Sequence, residues 1–75
     1  MELLKQQVEA LIFCSEQSIS LDEIKASLKL SFEWELTDEE VIEAIEGIKS
    51  KYLSDDFAFE LIEISEGFQF LTKKQ

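Results

Sequence analysis

Histidine is absent from the chain, and cysteine occurs once, at position 14. A disulfide framework within the chain is therefore impossible, and the Cys/His ligand sets of structural zinc sites cannot be assembled. Cys14 lies in the apolar run Ala10 to Cys14, with no basic residue near it in sequence. Nothing there would stabilise a thiolate, so the residue reads as a small buried hydrophobe in a reducing compartment. Basic residues are few. Seven oppose seventeen acidic ones, for a net charge of -10. That surplus disfavours nucleic acid and anionic membranes and suits a basic partner surface or simple solubility. No run approaches the ~20 apolar residues that a transmembrane helix needs. The opening Met1-Glu2-Leu3-Leu4-Lys5 lacks the basic region and continuous apolar core of a signal peptide. The expected location is the cytoplasm. Catalytic equipment is also missing. There is no histidine base, no Gly-rich phosphate loop and no metal cluster, and the carboxylates fall at capping and outer-face positions. These absences exclude any recognisable enzyme and imply no cofactor.

What is present suffices for one small domain over residues 1–75, 45% hydrophobic, which argues against disorder. A chain this short buries only about 60% of the surface that its unfolded form exposes, so its stability leans on a partner. The stretch Thr37 to Leu53 is the most informative. Val41, Ala44, Ile45, Ile48 and Tyr52 recur at spacings of three and four and share one helix face. Thr37 with Glu40 is a capping box. Glu39, Glu43, Glu46 and Ser50 fall on the opposite face, with Glu40 and Gly47 at its edge, and that face carries no Lys or Arg.

Upstream, Leu4, Val8, Leu11, Ile12 and Ser15 predict a first helix over roughly residues 2 to 15. Phe13 projects about 180° from Leu4. Either the fold wraps this helix or another chain covers it. Ser18-Ile19-Ser20 reads as a short link. Ser20 with Glu23 caps a second helix, with Leu21, Ile24 and Leu28 inward and an end near Lys29. Leu30 to Leu36 alternates apolar and polar residues, the period of an extended segment. Its Phe32 and Trp34 either close over the core or form part of a binding surface, where such rings are enriched. Ser54-Asp55-Asp56 is a plain turn without the spacing of a calcium loop. Phe57 to Ile64 and Phe68 to Thr72, separated by Ser65-Glu66-Gly67, predict a β-hairpin, with Phe68 and Phe70 on one face and Gln69 and Leu71 on the other. Lys73-Lys74-Gln75 reads as a frayed end.

The resulting fold class is mainly α with a small β-hairpin (α+β): a winged helix-turn-helix of three helices followed by a two-stranded wing. Direct DNA binding is disfavoured, because phosphate contact needs Lys or Arg on the third helix and the wing. The third helix is acidic outside, and Glu66 stands at the wing tip.

Two stretches carry a family resemblance. Val8-Glu9-Ala10-Leu11-Ile12-Phe13-Cys14-Ser15, followed by Ile19-Ser20-Leu21-Asp22-Glu23-Ile24, resembles the opening of segregation and condensation protein B (ScpB). Glu66-Gly67-Phe68-Gln69-Phe70-Leu71-Thr72-Lys73 is similar to that family's Gly-Gly-Tyr-Gln-Leu-type strand and Thr-Lys close. The chain departs from the pattern at Glu16 and Ser18, which replace a glycine and a proline, and in the aromatic segment Leu30 to Leu36. The family carries a second winged-helix domain, so the resemblance implies that residues 1–75 form an amino-terminal fragment of a two-domain protein. It also implies a non-catalytic accessory subunit of the bacterial SMC–kleisin complex in chromosome condensation and segregation. The partners would be a second copy, in a homodimer, and the kleisin subunit ScpA, through which it meets the SMC ATPase. Phe13, Phe32 and Trp34 are the candidate interface residues, chosen by position rather than motif. The competing class is a winged-helix transcriptional regulator that binds DNA.

Overall fold

A computed structural model describes residues 2–64 and 67–73. Three helices come first: α1 (Glu2–Cys14), α2 (Leu21–Phe32) and α3 (Asp38–Lys51). Between α1 and α2 lies a two-residue strand, β1 (Ile19–Ser20), and after α3 come β2 (Phe59–Ile64) and β3 (Gly67–Thr72). The fold is the expected α+β winged helix, but its sheet has three antiparallel strands in the order β1-β3-β2. The Ser18-Ile19-Ser20 link is thus part of the sheet, with Ile19 opposite Phe68 and Ser20 opposite Gly67. Two residues are too few to show a period, which is why the segment reads as a plain connector.

The core follows from helical periodicity. Leu4, Val8 and Ile12 on α1, Ile24 and Leu28 on α2, and Val41, Ala44, Ile45 and Ile48 on α3 are all buried. These residues face one another at spacings of three and four, which lets each helix bury one stripe. Tyr52, Leu61 and Phe68 close the core from the α3 end and the wing. Leu61 opposes Phe70 and Glu63 opposes Phe68 across the β2–β3 ladder, so Phe68 and Phe70 do share the helix-facing side.

Both helix starts are fixed as their sequences predict. The Ser20 hydroxyl accepts the Glu23 N–H at 3.1 Å while the Glu23 carboxylate accepts the Ser20 N–H at 2.9 Å. The same pair of bonds links Thr37 and Glu40 at 3.2 and 2.9 Å. Each box satisfies two amides that the helix itself leaves without partners.

Several expectations need correction. Helix α2 does not stop near Lys29. It runs through Phe32 and is capped by Glu33 in the left-handed conformation (φ 59°, ψ 26°), whose N–H donates to the Lys29 carbonyl. Leu30 to Phe32 are therefore helical, and their alternation with polar neighbours is incidental. Cys14 is exposed rather than buried, because it ends α1 off the Leu4–Val8–Ile12 stripe. Phe57 precedes the sheet, and Gly67 is part of β3 opposite Ile64. Lys73 is tied down: its N–H donates to the Ala58 carbonyl at 2.8 Å and its Nζ to the Ser54 carbonyl at 2.7 Å. The wing-tip reading of Ser65 and Glu66, and the fraying of Lys74 and Gln75, fall outside the described residues.

Candidate interaction surfaces

Three surfaces stand out. The first grows from the carboxy-terminal end of α1. Phe13 stacks on Phe70 with ring centroids 4.0 Å apart and planes 10° apart. Its edges meet Phe59 at 5.7 Å and Tyr52 at 6.2 Å. Tyr52 in turn packs on Phe70 and Phe57 at 5.0 and 4.8 Å. The wing therefore wraps one side of Phe13, yet the residue stays 43% exposed. Exposed Phe59, with Cys14 beside Phe13 in sequence, adds to the surface. The base of the cluster is polar and satisfied. The Tyr52 hydroxyl donates to Glu9 at 2.6 Å, and Lys51 bonds the same carboxylate at 3.3 Å while lying 5.1 Å from the Tyr52 ring centre. Burial, reinforced by the neighbouring Glu9 carboxylate, pushes the Tyr52 phenol up to about 12. The phenol is a fixed hydrogen-bond donor at neutral pH, not a titrating group.

The second surface sits where α2 ends. The left-handed turn at Glu33 folds the chain back so that Phe32 and Trp34 stack at 4.5 Å, 19° from parallel. Trp34 is half-buried against the core, and Phe32 is 40% exposed on top of it. Trp34 thus closes over the core, while Phe32 faces outward. Lys25, Ala26, Lys29 and Leu36 join Trp34 around a shallow depression of about 260 Å³. Leu30, 88% exposed, stands beside it. Lys25 is tied to Asp38 at 2.6 Å, which pins α2 to the start of α3. Among the described residues no ring-to-ring contact joins Phe13 to the Phe32–Trp34 pair, so the three residues form two surfaces rather than one.

The third surface is the exposed face of α3 and the groove between it and the wing. Glu39, Glu43 and Glu46 are all exposed along that face. Leu21, Ile42, Ile45 and Phe68 form the apolar part of a groove of about 340 Å³, with Glu46, Lys49 and Glu63 around it. This is the side on which a winged helix presents its recognition helix, and here it presents carboxylates. Ile42, 43% exposed, lies outside the periodic stripe of α3. At 100° per residue it falls between the buried stripe and the acidic face, and its apolar character beside Glu43 and Glu46 was the available signal. Leu30, Phe59, Ile64 and Leu71 are also exposed large apolar residues.

Among the described residues no group of three or more His, Cys, Asp or Glu could hold a metal ion. No helix among them is long and apolar enough to cross a membrane.

Comparison with known proteins agrees with this architecture. A family model described as segregation and condensation complex subunit ScpB matches residues 6–75. A search of curated proteins finds no significant match. A solved structure described as a dimer of the ScpB N-terminal domain complexed with ScpA peptide superposes with a TM-score of 0.82 at 27% identity, covering 97% of this chain and 84% of that one. A conserved hypothetical protein from Chlorobium tepidum superposes at 0.74 with 29% identity, over 96% of this chain and 42% of that chain. ScpB from Mycobacterium tuberculosis, at 19% identity, shares the fold with a TM-score of 0.79, over 96% of this chain and 41% of that chain.

Proposed function

The chain belongs to the ScpB family of segregation and condensation complex subunits, and from that premise we propose that it is a non-catalytic accessory subunit of an SMC–kleisin complex. In this reading residues 1–75 act as the amino-terminal domain of a longer, two-domain subunit. The domain associates with a second copy and with the kleisin ScpA, and through ScpA with the SMC ATPase. It works in the cytoplasm, on the chromosome, without chemistry of its own. The observation that carries the reading is the likeness to an ScpB N-terminal domain whose structure is a dimer bound to an ScpA peptide. The half-exposed rings are consistent with it, because stable association needs apolar area that a lone copy leaves open to water. Phe13, Phe32 and Trp34 are proposed to contribute to these contacts from two separate surfaces.

Light scattering on the purified chain across a concentration series tests the self-association. A dimer that persists at low micromolar concentration is expected. A monomer at every concentration would remove the dimer from the reading. Phe13→Asp then separates the two surfaces: if the variant stays folded with the same oligomeric state, Phe13 is not in the dimer contact. DNA binding, the rival function for this fold, meets the acidic face of α3. Titration with duplex DNA at low salt is expected to show none.

A further inference from the structure

The groove between α3 and the wing has no part in the aromatic surfaces above, yet it combines two properties that call for a partner. Its floor is apolar: Ile45 and Phe68 are buried there, while Leu21 and Ile42 rise beside them with their side chains partly in water. Its rim is acidic: Glu46 on α3 and Glu63 on β2 stand exposed on either side, and Glu43 and Glu39 extend the row of carboxylates along the helix. Lys49 is the one cation among the lining residues. We infer that this groove docks a segment of a partner protein in which an apolar side chain is flanked by Lys or Arg, the apolar group seating on Ile42 and Phe68 and the cations meeting Glu46 and Glu63.

Charge decides between the possible occupants. A nucleic acid would bring phosphates against four exposed glutamates, which reverses the counterion release that drives such binding. A second copy of this chain would bring a surface with a net charge of -10 against the same row, and like charges juxtaposed at an interface cost several kcal/mol. A small molecule is poorly served, since the groove lies near the lower end of the volumes that enclose one. A basic, amphipathic peptide meets both the floor and the rim. It gains apolar burial at the centre and charge pairing around it, the arrangement typical of a protein interface. The inference rests on the proposed membership of an SMC–kleisin complex, and within that complex the segment is assigned to the kleisin.

The test uses the full-length kleisin subunit ScpA and this chain, with affinity measured by calorimetry at two salt concentrations. Ile42→Glu places a carboxylate on the floor, and at a half-exposed helix position it should leave the melting temperature nearly unchanged. It is expected to weaken binding at least about tenfold, the scale of one hot-spot side chain. The double variant Glu46→Lys with Glu63→Lys should weaken binding and abolish its salt dependence. Leu53→Ser, far more exposed and outside all three surfaces, should leave binding unchanged. A photo-crosslinking residue at position 42 should label a kleisin segment that carries apolar and basic residues together. If the wild-type chain binds ScpA and the groove variants bind equally well, the groove assignment fails while the complex membership stands. If the wild-type chain does not bind ScpA, the membership fails and the groove assignment falls with it.

Discussion

Glu33 is the only residue other than glycine with positive φ among those described, at 59°. A side chain in that conformation crowds the following carbonyl at a cost of about 1–2 kcal/mol, which glycine avoids. Glu33→Gly is therefore expected to stabilise the domain by about 1 kcal/mol in urea unfolding. An unchanged or lower midpoint would mean that the Glu33 side chain supplies a compensating contact. The same conformation hides the end of α2 from the sequence. Sequence marks such a stop by glycine or asparagine, and Glu33 is neither, so the pattern points to an end near Lys29, about a turn early. The Ser20–Glu23 and Thr37–Glu40 boxes were legible because there the side chains themselves supply the bonds. Tyr52 carries a second prediction. Its phenol is held near 12 against an ordinary value of 10.0. The folded state thus holds the proton more tightly than the unfolded one, so this contribution to stability is complete below pH 10 and lost as pH rises toward about 12. Tyr52 is the sole tyrosine, so ultraviolet absorbance of the phenolate reads it alone, and it should titrate well above the free amino acid until the chain unfolds. In Tyr52→Phe the alkaline loss of stability should be smaller.

At the scale of elements, the sheet depends on an approach that only glycine permits. A Cβ on Gly67 would lie 2.9 Å from both the Cβ and the Oγ of Ser18. Ser18 leads directly into β1, so its Cβ cannot yield without moving that strand. Gly67→Ala is expected to cost about 1–3 kcal/mol, the usual range for overpacking, and to loosen the Ile19–Phe68 pairing. Amide hydrogen exchange checks it: protection should fall at residues 19 and 20 as well as along β3, and a loss confined to β3 would show that β1 is held by other contacts. Helices α1 and α3 were readable because thirteen and fourteen residues give the 3.6 period room to repeat. Strand β1 offered two residues and no period. The proposed contact residues differ in how visible they are in the sequence. Phe13, Phe32 and Trp34 announce themselves as rings in awkward places, whereas Ile42 looks ordinary until α3 is set beside the wing.

For the whole molecule, the net charge of -10 on 75 residues sets the conditions for assembly. Two copies repel at long range whatever surface joins them, and salt shortens the reach of that repulsion to about 8 Å at physiological ionic strength. Self-association should therefore strengthen as salt is added, while the kleisin contact proposed for the acidic groove should weaken. Sedimentation velocity at low and high salt separates the two, and a dimer that dissociates on adding salt would contradict the apolar interface. The order of the sheet has a consequence of another kind. Strand β3 lies in the middle, between β1 and β2, yet it follows the other five described elements in the chain. Until Thr72 has cleared the ribosome, β1 and β2 have no neighbour to bond and the core lacks Phe68. A nascent chain can form three helices early, because their bonds are local, but it cannot close the domain until β3 arrives. Stalled chains of increasing length should remain sensitive to protease until all of β3 is released, then become resistant in a single step.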